Sequence, residues 1–173
     1  RKTLGIIGLG RICSRVAFHA VKGFEMKVVY YDVKRNEEFE KTYGAVFLEK
    51  INDVLREADF ISIHVPLIPQ TRHLIGEPQL KLMKPTAYLV NTSRGAIIDE
   101  AALAVALDAK TIAGAAIDVF EFEPKVTPDL LSLDNVIMTP HIASATEETR
   151  AKMSELAATN IIEALEGRTP PNI

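Results

Sequence analysis

Short apolar runs rich in β-branched residues alternate with helical patterns along the whole chain. The runs are continuous rather than alternately apolar and polar, which is typical of strands that are buried on both faces. Because a helical stretch separates most runs from the next, the order favours a parallel sheet whose crossovers place helices on both faces. The chain is therefore predicted to be an α/β protein with a doubly wound parallel sheet in three layers.

The hydrophobic pattern also sets approximate limits for the elements. Strands are predicted over residues 4–7, 26–31, 60–63, 87–90, 112–117 and 136–138, and helices over residues 11–22, 37–43 and 51–57. Asp99 is predicted to cap a further helix, and Gly23 is predicted to end the first one.

The last segment is predicted to form a longer helix. It follows Ser144-Ala145-Thr146-Glu147, which has the form of a capping box, and Gly167 is predicted to end it. Apolar residues recur at helical spacing along one face of this helix. They are Met153, Leu156, Ala157, Ile161, Ala164 and Leu165.

Length and composition limit the class of protein. The 173 residues match the usual size of one α/β domain, so a single domain over residues 1–173 is the simplest interpretation. The net charge of −3 argues against general affinity for nucleic acid. No apolar run approaches the roughly 20 residues of a membrane span. The single cysteine, Cys13, fits a reducing compartment, and no signal peptide is visible, so we expect the cytoplasm.

A glycine-rich loop, Gly8-Leu9-Gly10-Arg11-Ile12-Cys13, follows the first predicted strand and opens the first predicted helix. That is the context which the dinucleotide-binding fingerprint of a Rossmann fold requires. Gly8 would permit the tight turn, Gly10 would let the backbone approach a pyrophosphate, and the amides of Arg11 and Ile12 would contact it. Cys13 stands where glycine or alanine is usual. The alternative is an ordinary strand-to-helix turn with Arg11 in solvent.

An acidic residue, Asp32, lies at the end of the second predicted strand, 22 residues after Gly10. A carboxylate at this place can accept hydrogen bonds from the adenosine ribose and repels a 2′-phosphate, so NAD is favoured over NADP. Lys34 and Arg35 weaken this argument unless they belong to a solvated basic surface. The alternative for Asp32 is a simple turn residue.

Three further stretches, each at the end of a predicted strand, carry a family resemblance. They are Asn91-Thr92-Ser93-Arg94-Gly95, Ala115-Ala116-Ile117-Asp118-Val119-Phe120-Glu121-Phe122-Glu123-Pro124 and Thr139-Pro140-His141-Ile142-Ala143-Ser144. In this order they closely resemble the D-isomer-specific 2-hydroxyacid dehydrogenases, and the match extends to His64-Val65-Pro66-Leu67 and Met83-Lys84-Pro85. The pattern looks nearest to glyoxylate or hydroxypyruvate reductases, although related phosphoglycerate and lactate enzymes share it. Ala143-Ser144 departs from the two glycines that are common there.

The resemblance implies a cofactor domain that lacks most of the substrate domain of its parent enzyme. Such an isolated domain is expected to bind NAD and to show little or no turnover. It is also expected to form a homodimer. The alanine-rich helix after Asp99 is one possible contact, unless its apolar face simply covers the sheet.

Reduction of a 2-keto acid needs a hydride donor, an acid for the carbonyl oxygen and a cation for the carboxylate. Arg94 offers a planar, permanently charged fork for the carboxylate. His141 can donate a proton to the oxygen and take it back in the reverse reaction, and Glu123 can favour the protonated imidazole. The resemblance assigns the same roles to these residues. Taken singly, each has a structural alternative: a surface arginine, a loop histidine, or part of a solvated acidic run with Glu121.

Other residues are predicted to contact the cofactor. Asp118 resembles the family residue that binds the nicotinamide carboxamide, and its alternative is a turn residue. Val65 and Pro66 would shape the adenine side of the pocket, or simply pack in the core. The remaining predicted contacts lie on the nicotinamide side, or merely cap their loops. They are Thr92, Ser93, Ile142, Ala143 and Ser144.

The leading interpretation is thus the NAD-binding half of an enzyme that transfers hydride between NAD(H) and a small 2-keto or D-2-hydroxy acid. An NAD-sensing corepressor related to such dehydrogenases is the alternative. A formate-dehydrogenase-type enzyme is disfavoured by the pairing of Glu123 with His141. No group of His, Cys, Asp and Glu has metal-ligand spacing, and His19, His64 and His73 are interpreted as surface or structural residues.

Overall fold

The continuous apolar runs form one sheet in which every pair of neighbouring strands is parallel. The computed structural model describes residues 1–172, and the sheet has seven strands in the order β3-β2-β1-β4-β5-β6-β7. The strands are β1 (Thr3–Ile7), β2 (Lys27–Tyr31), β3 (Val46–Phe47), β4 (Phe60–Ile63), β5 (Tyr88–Asn91), β6 (Gly114–Ile117) and β7 (Val136–Met138). The predicted doubly wound α/β fold is confirmed.

Helices connect almost all of these strands. They are α1 (Arg11–Phe24), α2 (Glu37–Tyr43), α3 (Ile51–Glu57), α4 (Glu77–Leu80), α5 (Glu100–Asp108) and α6 (Glu147–Leu165). Two short 3-10 helices, Gly95–Ile97 and Pro128–Ser132, lie in loops. The two-residue strand β3 and the one-turn helix α4 are too short to give a periodic signal, and the sequence did not predict them.

The direction of winding reverses between β1 and β4. Leu4 in β1 lies opposite Val28 in β2 on one side and Phe60 in β4 on the other. The chain therefore proceeds outward from β1 to β3, returns, and proceeds outward again from β4 to β7. In such a sheet, a crevice opens at the carboxyl ends of the two central strands, which is where open α/β folds bind ligands.

Two apolar cores lie on opposite faces of the sheet. On one face, α1 and α2 bury Cys13, Ala17 and Phe39 against side chains of β1 and β2. On the other face, α3, α4 and α5 bury a larger cluster that includes Leu55, Leu80 and Leu103. Burying each large side chain contributes about 1.5–3 kcal/mol, so these two layers supply most of the stabilisation of the sheet.

The α1/α2 layer does not extend over the far half of its face. Alternate residues of β5 point into the larger core, and Leu89 is fully buried there. Their neighbours on the opposite face include Tyr88, which is 45% exposed, and Ile137 of β7 is 69% exposed. Beyond β4, the α1/α2 face of the sheet therefore presents apolar side chains to solvent.

Two helix boundaries differ from the prediction. Gly23 does not end α1, which continues to Phe24, and Glu25 takes the left-handed conformation with φ 51°. Ser144 does not cap α6. Thr146 is the cap because its backbone is extended and its hydroxyl oxygen accepts the amide of Thr149 at 3.1 Å.

Other predicted boundaries are confirmed. The Asp99 carboxylate accepts the amide of Ala102 at 3.0 Å and caps α5. Gly167, with φ 73°, follows the end of α6. All six residues of the predicted apolar face of α6 are exposed, and none of the described residues of this helix is buried.

The chain divides into two compact units by its internal contacts. The first is Arg1–Pro140 and contains the sheet, and the second begins at His141 and contains α6. The interpretation of the whole chain as a single domain stays a prediction. Among residues 1–172, no helix combines the length and the hydropathy needed to cross a membrane.

Candidate functional site

The loop between β1 and α1 is pressed against the end of β4. A Cβ atom built on Gly8 would lie 2.8 Å from the amide nitrogen of Val65 and 2.9 Å from the carbonyl carbon of His64. Gly8 also has φ 93°, a backbone conformation that residues with a side chain rarely adopt. The amide of His64 in turn donates to the carbonyl of Ile7 at 2.8 Å. Only glycine therefore satisfies both the turn and the close approach at position 8.

Gly10, unlike Gly8, is not required by contacts within the protein. A Cβ atom at this position would meet nothing within 4 Å, and its φ of −125° is open to any residue. The protein alone does not require glycine here. The open space lies at the start of α1, where Arg11 and Ile12 are exposed and the first amides of the helix have no acceptor within the helix. An anion can approach the backbone at this point.

Cys13 packs as a small core residue at the start of α1. It is fully buried, and its Sγ accepts the amide of Gly10 at 2.6 Å and donates to the Gly10 carbonyl at 2.8 Å. Burial raises the pKa of the thiol, so Cys13 remains neutral. The departure from glycine at this position is accommodated because the thiol bonds the loop to the first turn of α1.

Asp32, at the end of β2, holds the glycine loop from the other side. Its carboxylate accepts the amide of Leu9 at 2.5 Å and the amide of Lys34 at 3.1 Å. Both bonds fix the carboxylate at the mouth of a pocket of about 410 Å3. The predicted residues that line this pocket are Gly8, Gly10, Asp32, Val65 and Pro66. Its size is within the usual range for small-molecule sites.

The loop that carries Arg94 is held from below by Asn91. This asparagine is buried, and its side chain accepts the amide of Ser93 at 3.0 Å and donates to the carbonyl of Arg94 at 2.9 Å. Ser93 donates its hydroxyl to the carbonyl of Val65 at 2.5 Å. The guanidinium of Arg94 is exposed and donates to the Ser93 carbonyl at 2.7 Å. The side chain thus faces solvent from a backbone that is fixed on both sides.

Gly95 brings this loop into contact with the loop after β6. A Cβ atom on Gly95 would lie 1.9 Å from the carbonyl carbon of Phe120 and 2.4 Å from the amide nitrogen of Glu121. The amide of Phe120 donates to the carboxylate of Glu123 at 3.0 Å. Because no side chain fits between the two backbones, Gly95 fixes the distance between the loops that carry Arg94 and Glu123.

Glu121 has a structural role that the sequence did not reveal. Its side chain is only 5% exposed and accepts Arg72 at 2.8 Å and His73 at 2.7 Å. Its amide donates to the carboxylate of buried Glu100, whose other oxygen accepts the hydroxyl of Thr127 at 2.6 Å. Glu121 is therefore not part of a solvated surface, whereas Glu123 of the same acidic run is exposed. Arg72 and His73 lie nearly 50 residues earlier in the chain, so no local pattern predicts this cluster.

The remaining predicted cofactor residues of the first unit lie at two places. Asp118 is buried after β6, and its carboxylate accepts the hydroxyl of Thr139 at 2.5 Å. Ile12 and Thr92 line a different pocket, of about 710 Å3, which extends along α1 and β4. The structure therefore does not bring every predicted contact into the pocket beside Asp32.

His64 belongs to both pockets. Its Nε2 lies 2.8 Å from the hydroxyl of buried Ser62, and this hydrogen bond is consistent with the structural role predicted for His64 from the sequence. Burial lowers the pKa of His64 below its ordinary value, which keeps the imidazole neutral. No cluster of His, Cys, Asp and Glu with the form of a metal site occurs within residues 1–172.

The second unit begins at His141, which is the third residue of the last family motif. His141 has φ 54°, an uncommon conformation outside glycine, and its side chain is exposed. Ile142 to Ser144 form a turn, in which the amide of Ala145 donates to the carbonyl of Ile142 at 2.9 Å. Residues held in such a conformation cluster at functional sites, which is consistent with the predicted role of His141.

Residues 1–143 match the model of the D-isomer specific 2-hydroxyacid dehydrogenase NAD binding domain. A glyoxylate reductase of Thermococcus litoralis is 52% identical over 99% of this chain and 51% of its own length. The chain spans about half the length of the curated relatives that it matches.

Solved structures show the same fold. The NAD complex of a D-isomer specific 2-hydroxyacid dehydrogenase from Lactobacillus delbrueckii has a TM-score of 0.88 at 37% identity, over 99% of this chain and 56% of that one. An NADPH-dependent glyoxylate/hydroxypyruvate reductase from Sinorhizobium meliloti has a TM-score of 0.86 at 35% identity, over 94% of this chain and 50% of that one. Similar chains thus use either nicotinamide cofactor.

We expect Gly10→Ala to separate binding from stability. The added methyl group has open space in the protein but occupies the approach to the amides of α1. Gly10 is the N-cap of α1, where alanine is less favoured than glycine, so the free energy of unfolding should fall by no more than about 1 kcal/mol, while the Kd for NADH rises at least about tenfold. Fluorescence titration and urea unfolding of the full-length gene product measure the two effects. Gly23→Ala, also in open space, is the matched control and should leave the Kd unchanged.

Gly95→Ala should act in the opposite way, mainly on stability. The new Cβ meets two backbone atoms of Phe120 at 2.0 Å or less, and neither can move without shifting the loop. We expect a loss of about 1–3 kcal/mol or more in the free energy of unfolding, measured in urea. Gly76→Ala, whose Cβ would meet its nearest neighbour at 3.7 Å, serves as control. Equal stability of the two variants would contradict the close approach.

Proposed function

Because the chain belongs to the D-isomer specific 2-hydroxyacid dehydrogenase family, whose NAD binding domain it matches over residues 1–143, we propose that the full-length protein is an NAD-dependent oxidoreductase. Its reaction interconverts a small 2-keto acid and the corresponding D-2-hydroxy acid. The observation that carries this proposal is the fixed spacing of the loops with Arg94 and Glu123 through Gly95. These loops end β5 and β6, at the same sheet edge as the open space above Gly10.

The residues of the pocket fit a dinucleotide. The open space at Gly10 and the first amides of α1 suit a pyrophosphate, because both the helix dipole and the unpaired N–H groups favour an anion. Asp32 is held where it would accept a ribose hydroxyl, and its charge disfavours a 2′-phosphate. These features support NAD as the cofactor in preference to NADP. When bound, the nicotinamide supplies the hydride or accepts it.

Arg94 is proposed to bind the carboxylate of the substrate. The Arg94 guanidinium is exposed on a loop that Asn91 and Ser93 fix, so little rotational freedom of the backbone is lost on binding. Its planar fork can donate two parallel hydrogen bonds to a carboxylate. A substrate without a carboxylate next to the carbonyl would forgo this contact, which supports a 2-keto acid as the substrate class.

His141 is proposed as the general acid, which protonates the carbonyl oxygen in reduction and removes the proton in oxidation. Glu123 is proposed to favour the protonated imidazole by its opposite charge. The hydrogen bond from the amide of Phe120 orients the Glu123 carboxylate. The proposal for these residues rests on the family motifs, in which the same residue types occupy these positions.

The other predicted residues are proposed to position the cofactor. The Asp118 carboxylate, which is oriented by the hydroxyl of Thr139, would accept a hydrogen bond from the carboxamide of the nicotinamide. Val65 and Pro66 would contact the adenine side. The nicotinamide side would be completed by Thr92, Ser93, Ala143 and Ser144. We also propose a cytoplasmic location, which the free thiol of Cys13 supports.

Turnover by the full-length gene product tests the proposal. Oxidation of NADH should be observed with at least one of glyoxylate, hydroxypyruvate, pyruvate and phosphohydroxypyruvate. Replacing the general acid in His141→Gln should lower kcat by about 100-fold or more, while the Kd for NADH stays within about twofold. His19→Gln, in an exposed position on α1, is the control. NADH binding without any turnover would instead favour an NAD-sensing corepressor.

We further propose that the protein forms a homodimer through this domain. On the α1/α2 face, the outward residues of β5 to β7 carry no charge. They include Tyr88, Val90, Ala116 and Ile137. Large contiguous apolar patches are uncommon on monomers, and a second copy of the chain can present the same patch across a twofold axis. The face of helix α5 that carries Leu103 and Leu107 is buried against the sheet and is not available for such a contact.

Sedimentation of the full-length gene product tests this interface. Tyr88→Asp with Ile137→Asp should convert a dimer to a monomer, because two charges would be buried without partners. Val105→Asp is the control, since Val105 is an exposed apolar residue on α5 at the other face of the sheet. A monomeric wild-type protein, or dissociation of the Val105→Asp variant, would contradict the proposal.

A further inference from the structure

The turn between β2 and α2 holds an arginine that is already paired. Arg35 lies three residues after Asp32 in this turn, and the first two residues of the turn, Asp32 and Val33, line the pocket. Its Nε and one terminal nitrogen donate to the two carboxylate oxygens of Glu40 at 2.9 and 2.8 Å. This is the bidentate geometry in which an arginine would otherwise bind a phosphate. The Arg35 guanidinium therefore already makes a bidentate contact, with Glu40.

The anchor of this pair is Glu40 rather than Arg35. The hydroxyl of Tyr30, whose side chain is fully buried, donates to the Glu40 carboxylate at 2.9 Å and accepts the amide of Asn36 at 2.8 Å. The side chain of Glu40 is 16% exposed, whereas that of Arg35 is 58% exposed. The hydrogen bond from Arg35 also holds the pKa of Glu40 below its ordinary value. Arg35 is consequently drawn toward α2.

We propose that Glu40 determines cofactor choice by holding Arg35 away from the position that a 2′-phosphate would occupy beside Asp32. This inference rests on the proposed function, since it presumes that the pocket takes a nicotinamide dinucleotide. The negative charge of Asp32 disfavours NADP by repelling the 2′-phosphate. Glu40 disfavours NADP because its ion pair with the Arg35 guanidinium keeps that group from binding the 2′-phosphate. Lys34 also lies at this turn, and its amide is engaged with Asp32. A lysine provides a point charge without the planar fork of arginine.

Binding of NADH and NADPH to the full-length gene product, without any turnover, tests the inference. Glu40→Gln removes the charge that holds Arg35 but keeps a side-chain oxygen for Tyr30. We expect the Kd for NADPH to fall by about three- to tenfold, the scale of one exposed charge contact, while the Kd for NADH stays within about twofold. The gain should shrink as salt is raised, because it depends on charge.

The matched control is Glu38→Gln, which makes the same change of charge on the same helix, away from the Arg35 pair. It should alter the ratio of the two Kd values by less than about twofold. An equal gain in both variants would reduce the effect to net charge and overturn the inference. So would an unchanged Kd for NADPH in a folded Glu40→Gln variant that binds NADH normally.

Arg35→Gln completes the cycle and also serves if Glu40→Gln does not fold. In the wild-type background it should leave the Kd for NADPH unchanged, whereas in the Glu40→Gln background it should remove the gain. Weaker NADPH binding by Arg35→Gln alone would overturn the inference, because Arg35 would then already contact the phosphate. Failure of the wild-type protein to bind either cofactor would contradict the proposed function instead.

Discussion

The contact on which the site depends is the close approach of Gly8 to the backbone of His64 and Val65. It exists because β1 and β4 are neighbours in a sheet whose winding reverses between them. The reversal leaves a crevice above their carboxyl ends, and Gly8 sets how close the two ends come. A side chain at this position would widen the crevice by pushing the glycine loop away from Val65. The start of α1 would then point its amides elsewhere.

A series of backbone-level contacts extends from this point to the residues proposed for catalysis. Ser93 binds the carbonyl of Val65, Asn91 fixes the loop of Arg94, and Gly95 lies directly against Phe120. Most of these contacts involve main-chain atoms, which have little rotational freedom once the strands have paired. The cofactor loop and the loops of Arg94 and Glu123 are therefore positioned by the same sheet edge, and a shift in one must be transmitted to the next.

The sequence predicted the elements that have a local signal. The apolar runs gave six of the strands, the cap of α5 followed from Asp99, and the glycine loop followed from its place between a strand and a helix. Positions that depend on distant residues could not be predicted in this way. Glu121 looked solvated because Arg72 and His73 are far away in the chain, and Asn91 looked like part of a motif rather than the support of Arg94. The end of α1 was also not predictable from glycine alone. Glu25, and not Gly23, takes the left-handed conformation that ends this helix.

Asp32 and Glu40 differ in how closely cofactor choice is tied to the glycine loop. Asp32 is proposed to disfavour a 2′-phosphate, and its carboxylate also accepts the amide of Leu9 and so holds the glycine loop in place. Replacing Asp32 would change the charge and release the loop together, so binding of either cofactor would suffer. Glu40 lies outside the loop, and in the proposed arrangement it would act through Arg35, while Tyr30 holds it in place. A change at Glu40 can therefore alter the preference for a phosphate while the cradle for the pyrophosphate stays intact.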